Sequence, residues 1–539
     1  MSDAQSIDDV LRDELSSLGL TALVGYVDSD QLNRISESGI EINSSLLADL
    51  IISKHGLSIF GLPTIRIAIL QKYGLQKINR KLGTNFLGFP EVEQFNNFRW
   101  GENEKSQLFL SILGLFDVDL ESRQVRSIDV DLLNVASALH PYQNWIRKRL
   151  FEFLIKTDHA KVVMHMPTGS GKTRTTLEAV CDFLRTLPDS CVTVVWFAHS
   201  EELCEQAAES IGSIWHRLGA ENAKIVRLWG GRQPALASID GPTFVISSFQ
   251  TAYKLLAVND DDRFSLFTKI RRKCAILVVD EAHQAIAPTY RQAIDLFSNR
   301  TTKIVGLTAT PGRHHINGSP EQTLALSDYF ENHKIDIVDN EGLPLDDPIS
   351  FLTEQGILSR VDKYQIRSSS DVVLTDAELR QIEKQLDIPS SVLARLGDDK
   401  NRTNLIATNA LKLAVDRGKQ TIVFAPSKDN AIELALLCST KGCRSASITG
   451  DTDKARRREL INEFRSGKIK ILTNFGVLTT GFDAPNIEAV VIARPTTSVV
   501  LYSQMIGRGM RGPKMGGSED CILVDVIDNI LNMPSAPQA

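Results

Sequence analysis

The chain has 539 residues, 42% of them hydrophobic and 23% charged, with a net charge of −6. At roughly 150 residues per domain the length admits about three to four domains, and the acidic balance excludes a surface coated in phosphate-binding residues while leaving room for a local basic groove. No run of about 18 apolar residues occurs, so no membrane span is expected. The opening MSDAQSIDDVLRDEL is acidic and polar, unlike the basic and then apolar start of a secretory signal, and a cytoplasmic location is expected. The seven cysteines form no CxxC pair and read as reduced thiols.

Residues 1–130 hold short apolar-periodic segments, SSLLADLIISKH and LPTIRIAILQKYG, which predict a mainly helical N-terminal domain without a visible catalytic motif. From 135 to 345 the pattern changes. Apolar β-rich runs (KVVMHM, VTVVWFA, TFVIS, AILVVD, KIVGLT) alternate with helical stretches, which predicts a parallel sheet covered on both faces. Residues 346–400 are less regular and read as a linker or helical arm around AELRQIEKQL. From 401 to 530 the alternation resumes through QTIVFA, RSASITG, KIKILTN, EAVVIA and CILVDV. The tail 531–539 is expected to be disordered. The fold class is therefore α/β, with two tandem parallel-sheet domains behind a helical one.

The first chemistry-bearing motif lies between the strand KVVMHM and the helical run TTLEAVCDFL. It comprises Thr168, Gly169, Ser170, Gly171, Lys172, Thr173 and Arg174. Met166 stands where a strict phosphate-binding loop has its first glycine, but the shorter P-T-G-S-G-K-T form keeps the chemistry. Backbone N–H groups ring a phosphate at a helix N-terminus. Lys172 neutralises β- and γ-phosphate charge, and the Thr173 hydroxyl suits Mg2+. A second motif, ILVVDEAH, places Asp280 and Glu281 at the C-terminal end of a strand, where α/β sheets bind ligands. Asp280 suits Mg2+, and Glu281 suits polarising an attacking water.

These boxes resemble motifs I and II of the superfamily 2 helicases, and the likeness continues in order from about residue 135 to 530. HPYQ resembles the adenine-recognition segment, with Gln143 as the base contact. LTATPGR resembles motif III, and VLTTGFDAPN resembles motif V. QMIGRGMRG resembles motif VI. WFAHSEELCEQ, TTGFDAP and CILVDVIDN are similar to the RadD-like, type I and III restriction-type and XPB-like ATPases, although the long N-terminal region departs from them. The resemblance implies two RecA-like domains and an ATP hydrolase using ATP and Mg2+. It implies that Arg508 and Arg511 reach the γ-phosphate and that Gln504 organises the attacking water. It also implies nucleotide contacts from Gly481 and Asp483 and coupling through His283, Thr308 and Thr310.

The resemblance implies nucleic-acid contacts from His199, Ser200, Ser248, Gln250, Thr251, Ser427, Thr479 and Thr480, each of which taken singly reads as a cap or turn residue. DNA is favoured over RNA. Translocation and strand separation both remain open, in a setting of DNA repair or antiphage defence, and a nuclease is among the protein partners that could dock on the N-terminal domain. The competing reading is a regulatory or assembly subunit whose ATP cycle switches partner binding. The basic clusters KARRREL and KIRRK read equally as backbone-tracking or solvated helix faces. Tyr142 and Trp145 read as core residues that could also stack. His314 and His315 lack acids at metal spacing and read as loop.

Overall fold

The computed structural model describes residues 7–37, 40–74, 100–101, 104–115, 138–156, 161–187, 192–219, 222–229, 241–256, 261–285, 287–309, 320–385, 387–478 and 486–531. The chain separates into two compact units. One comprises Met1–Asn134 with Leu396–Val477, the other Val135–Arg395 with Leu478–Ala539.

The first unit opens with helices α1 (Ile7–Ser16), α2 (Ser44–His55), α3 (Pro63–Tyr73) and α4 (Glu104–Ile112). Helix α2 starts where the Asn43 side chain accepts from Leu46 N–H, and α3 starts on Pro63, whose fixed φ suits a first helical turn. Their apolar faces bury Leu11, Leu15, Leu47, Ile51, Phe60, Ile69 and Phe109 in one core. Phe60, Trp100 and Phe109 meet edge to face within it.

The second unit begins with α5 (Pro141–Lys156), β1 (Lys161–His165), α6 (Lys172–Leu184), β2 (Thr193–Ala198) and α7 (Glu201–Leu218). It continues through β3 (Lys224–Leu228), β4 (Thr243–Ser248), β5 (Cys274–Asp280), β6 (Lys303–Thr308) and β7 (Lys334–Ile335). The strands pair in parallel in the order β3-β4-β2-β5-β6-β1-β7. Side chains alternate between two cores. Val162, Met164, Val194, Trp196, Ile276 and Val278 face one layer of helices. Val163, Val195, Phe197, Leu277 and Val279 face the other. That alternation of wholly apolar strands is why the sequence shows continuous runs rather than a polar face.

The stretch read as a linker or helical arm contributes more than that. It holds a short helix, Pro348–Glu354, and then the 14-residue strand β8 (Arg360–Val373). Most of β8 is exposed, and its sequence RVDKYQIRSSSDVV has no apolar run to announce a strand. Its partner supplies the strand instead.

The first unit then resumes with β9 (Thr421–Phe424), α8 (Lys428–Thr440), β10 (Ser445–Ile448), α9 (Lys454–Arg465) and β11 (Ile471–Asn474), the strands pairing in parallel as β10-β11-β9. The N-terminal helices pack on this part. Ile432 and Leu436 of α8 join their core. Arg456 of α9, only 4% exposed, meets both Asp8 carboxylate oxygens at 2.9 and 3.0 Å and Glu459 at 2.7 Å. Asp453 accepts from Ser58 and pairs with His55 at 3.1 Å. Gly56 (φ +52°) sits so close that a Cβ there would lie 2.9 Å from Arg456 Cδ. The KARRREL cluster is thus not a uniform basic face, because Arg456 points inward to carboxylates.

The second unit closes with β12 (Ala489–Ile492), α10 (Val499–Ile506) and β13 (Asp520–Leu531), where β12, β13 and β8 pair in parallel. Among the described residues no single helix is long and apolar enough to cross a membrane. Among the described residues, Cys181, Cys204, Cys274, Cys438, Cys443 and Cys521 are buried and not joined in disulfides.

Candidate functional site

In the seven-stranded sheet β5, β6 and β1 are neighbours, so their C-terminal ends lie side by side, His165 opposite Thr308 and Asp280 opposite Leu307. The loop after β1 carries Thr168 to Gly171, with Gly169 and Gly171 both at φ +86°, a conformation that side chains other than glycine rarely adopt. Gly171 directly precedes α6, whose first residue is Lys172. Beneath the loop, Tyr142 Oη and Gln143 Nε2 both donate to the Ser170 carbonyl, at 2.7 and 2.9 Å. Gln143 is 1% exposed, and its Oε1 also accepts from His140 N–H at 2.9 Å. A Cβ on Gly171 would collide with the Gln143 amide. Gln143 therefore braces the loop from below. Trp145 donates instead to the Asn340 carbonyl at 3.0 Å.

Asp280 is buried at the end of β5. Loss of solvent pushes its pKa up to about 6 and Glu281 adds repulsion, while Lys172 and the Glu281 N–H pull it down. Glu281 itself sits at φ +54°. A non-glycine residue held there costs on the order of 1 kcal/mol or more and persists where its surroundings over-determine it. His283 is buried with Nδ1 3.4 Å from Glu281 Oε2.

The arginine-bearing loop after α10 closes against the phosphate loop within the same unit. A Cβ on Gly507 would lie 2.6 Å from Thr168 Cβ, so glycine is what allows the two loops to touch. A Cβ on Gly169 would come within 3.6 Å of Arg511 Cγ, which places the Arg511 stem over the loop. Burial lowers the Arg508 pKa to about 10, and Glu281 opposes that fall, so Arg508 lies within electrostatic reach of the acid. Gln504 is buried on α10.

Residues 357–359 clip this loop in place. Leu358 bridges Arg511, Ser359 N donates to the Met510 carbonyl at 3.0 Å, and Ser359 Oγ bonds the Arg511 and Ser518 carbonyls at 2.6 Å each. Sequence reasoning missed Ser359, because a lone serine before a polar strand carries no signal. It also missed His165, the last residue of β1, although its place directly before the phosphate loop could have flagged it.

ATP with Mg2+ suits these residues. Two glycines form a cradle that a Cβ would disturb, a helix N-terminus follows it, and a lysine and a buried carboxylate flank it. Among the described residues no cluster of three or more His, Cys, Asp or Glu side chains forms a metal cage.

The other expected residues are distributed differently. Arg174 turns along its helix to Glu178 at 3.2 Å. His199 meets Tyr290 Oη at 3.3 Å, and Glu281 acts on it electrostatically, so it lies beside the acids. Ser200 caps α7, and Ser427 caps α8. Ser248 Oγ bonds Thr251 in a local cap, and Gln250 is exposed. In KIRRK, Arg271 donates to the Ser298 carbonyl. Thr308 is buried at the end of β6. Thr310, His314, His315, Thr479, Thr480, Gly481 and Asp483 lie outside the described residues.

Residues 136–313 match the family described as type III restriction enzyme, res subunit, and residues 401–512 match the helicase conserved C-terminal domain. The Saccharomyces cerevisiae protein IRC3, whose name proposes an ATP-dependent helicase, is 26% identical over 348 residues, covering 63% of this chain and 44% of that protein. The endonuclease subunit of the Escherichia coli type I restriction enzyme EcoKI is 24% identical over 412 residues, covering 67% of this chain and 32% of that protein. Among solved structures, the ATP-dependent type ISP restriction-modification enzyme LlaBIII bound to DNA shares the fold. Its TM-score is 0.50 at 14% identity, over 75% of this chain and 28% of that one. The chain spans about half the length of the curated relatives it matches.

Proposed function

We propose, from a chain that carries the paired ResIII and helicase C-terminal domains of the superfamily 2 helicase type, that it hydrolyses ATP to drive movement along nucleic acid, DNA in preference to RNA. The observation that carries this is the approach of the arginine loop to the phosphate loop, Gly507 to Thr168 and Arg511 to Gly169, with Arg508 in electrostatic reach of Glu281 and Lys172 in reach of Asp280. A triphosphate placed there would meet cations from two segments of the chain far apart in sequence.

In this reading the backbone of Thr168 to Gly171 and Lys172 hold the β- and γ-phosphates. Mg2+, held by Asp280 and Thr173, would neutralise phosphate charge. Glu281 accepts a proton from water as its oxygen bonds to the γ-phosphorus, and the bond from that phosphorus to the β–γ bridging oxygen breaks to leave ADP. Arg508 and Arg511 stabilise the charge that spreads over the equatorial oxygens, an effect worth about a thousandfold or more where an arginine finger is supplied. Gln504 orients the water. Loss of the γ-phosphate then removes the anion that the arginine loop grips. Gln143 contacts the base, and Gly481 and Asp483 contact the nucleotide. His283, Thr308 and Thr310 relay its state to strand contacts at His199, Ser248, Gln250, Thr251, Ser427, Thr479 and Thr480. The protein works in the cytoplasm in DNA repair or antiphage defence, with a nuclease among its partners.

ATP turnover measured alone and with single-stranded DNA, duplex DNA and RNA, alongside strand displacement, tests the reading. DNA-stimulated turnover supports a DNA motor, and displacement separates unwinding from translocation. Turnover that responds to a protein partner and to no nucleic acid would instead establish an ATP-switched assembly subunit.

A further inference from the structure

We infer that His165 is a positioning residue that ties the phosphate loop to the strand end at Thr308–Ala309, so that nucleotide held on one is felt by the other. This rests on the ATP-site reading above. His165 closes β1, and the strand order sets β6 on one side of it and β7 on the other. Its ring spans both. Nε2 lies 3.2 Å from the Ala309 carbonyl, and Nδ1 lies 2.9 Å from Asp336 Oδ1, just beyond β7. A carbonyl oxygen only accepts, so Nε2 carries the proton in that bond. Asp336 is held in turn by Lys334 at 2.9 Å.

The next residue repeats the connection through the backbone, because Met166 N–H donates to the Thr308 carbonyl at 3.0 Å. Two consecutive residues entering the phosphate loop thus bond two consecutive carbonyls leaving β6. One bond is made by the backbone and does not depend on the side chain at position 165. The other depends on one side chain, and it is the one that reaches past the sheet into the loop after β6. A displacement of the phosphate loop on nucleotide binding must either move Ala309 or break the bond.

Two variants separate the ring's halves. In H165Q the amide N–H can occupy the place of Nε2 and keep the Ala309 bond, whereas in H165N it occupies the place of Nδ1 and keeps only Asp336. Hydrogen–deuterium exchange across 303–309 is read with and without adenosine 5′-(β,γ-imido)triphosphate, after thermal melts show each variant folded. In wild type and H165Q the nucleotide slows exchange there roughly fivefold to tenfold, the scale of one added hydrogen bond. In H165N the slowing falls below about twofold, while nucleotide affinity stays within about threefold. Equal slowing in H165N and wild type, or equal loss in both variants, overturns the assignment. Failure of wild type to bind the nucleotide at all overturns the ATP-site reading itself, and the two failures are told apart by that binding measurement.

Discussion

Each unit contains an arginine withdrawn from solvent, and the two respond to burial in opposite ways. For Arg456 burial lowers the pKa, but Asp8 and Glu459 outweigh it and leave the guanidinium above its ordinary value. For Arg508 burial wins, and the pKa falls to about 10 against the pull of Glu281. The first cation is matched by carboxylates the fold brings to it, and it pins α1 to α9. The second follows Gly507, which touches Thr168, and lies within electrostatic reach of Glu281. Burial of charge is outweighed by matched carboxylates in one place and only partly opposed by Glu281 in the other.

The largest expected effect breaks the second case. Glu281→Gln should leave ATP binding intact and slow turnover by about a thousandfold, within the range for loss of a general base. Single-turnover hydrolysis beside a fluorescent-nucleotide titration checks it, and near-normal turnover rejects the role. Arg508→Ala should slow kcat by roughly a thousandfold with KM for ATP little changed. A rise in KM with kcat preserved would make Arg508 a ground-state contact.

Arg456→Ala should act on stability. Removing one partner of a buried ion pair costs about 3–5 kcal/mol, so the melting temperature should drop while turnover per folded molecule persists. Lost turnover with unchanged melting would erase the contrast between the two arginines.

A smaller effect follows from Asp280. Its pKa is raised from 3.8 to about 6, so its carboxylate, the form that binds a cation, is lost as pH falls through about 6. Protons then compete with Mg2+ for the carboxylate, so the Mg2+ concentration that half-saturates hydrolysis should rise below that point by up to about tenfold per unit. The same raised pKa means that folding stability from the neutral acid is present below 3.8 and is lost as pH rises towards about 6. A half-saturating Mg2+ concentration unchanged down to about pH 5 would separate Asp280 from the cation.

Much of the site was legible beforehand because its chemistry is local. Gly169, Gly171, Lys172, Asp280 and Glu281 sit at strand ends that their own apolar runs predict. Gln143 shows what such reading leaves out. Its place in HPYQ suggests a base contact, and the fold gives it a second task, since both ends of its amide also engage backbone groups around the phosphate loop. The residues 360–373 were unreadable for a different reason. A strand lacking an apolar face is specified by the neighbour that pairs with it, here β13.

From the residues alone came the alternation of buried strands with helices, the phosphate loop and the paired acids, since each depends on contacts within a few positions of chain. Only the folded molecule decided that Gly507 lets the arginine loop touch Thr168, that Ser359 clips that loop, and that Arg456 belongs to Asp8 rather than to a basic face. These facts join residues from about 150 to nearly 450 positions apart. Such pairings are set by how sheets and helices pack, and no local pattern of sequence encodes them.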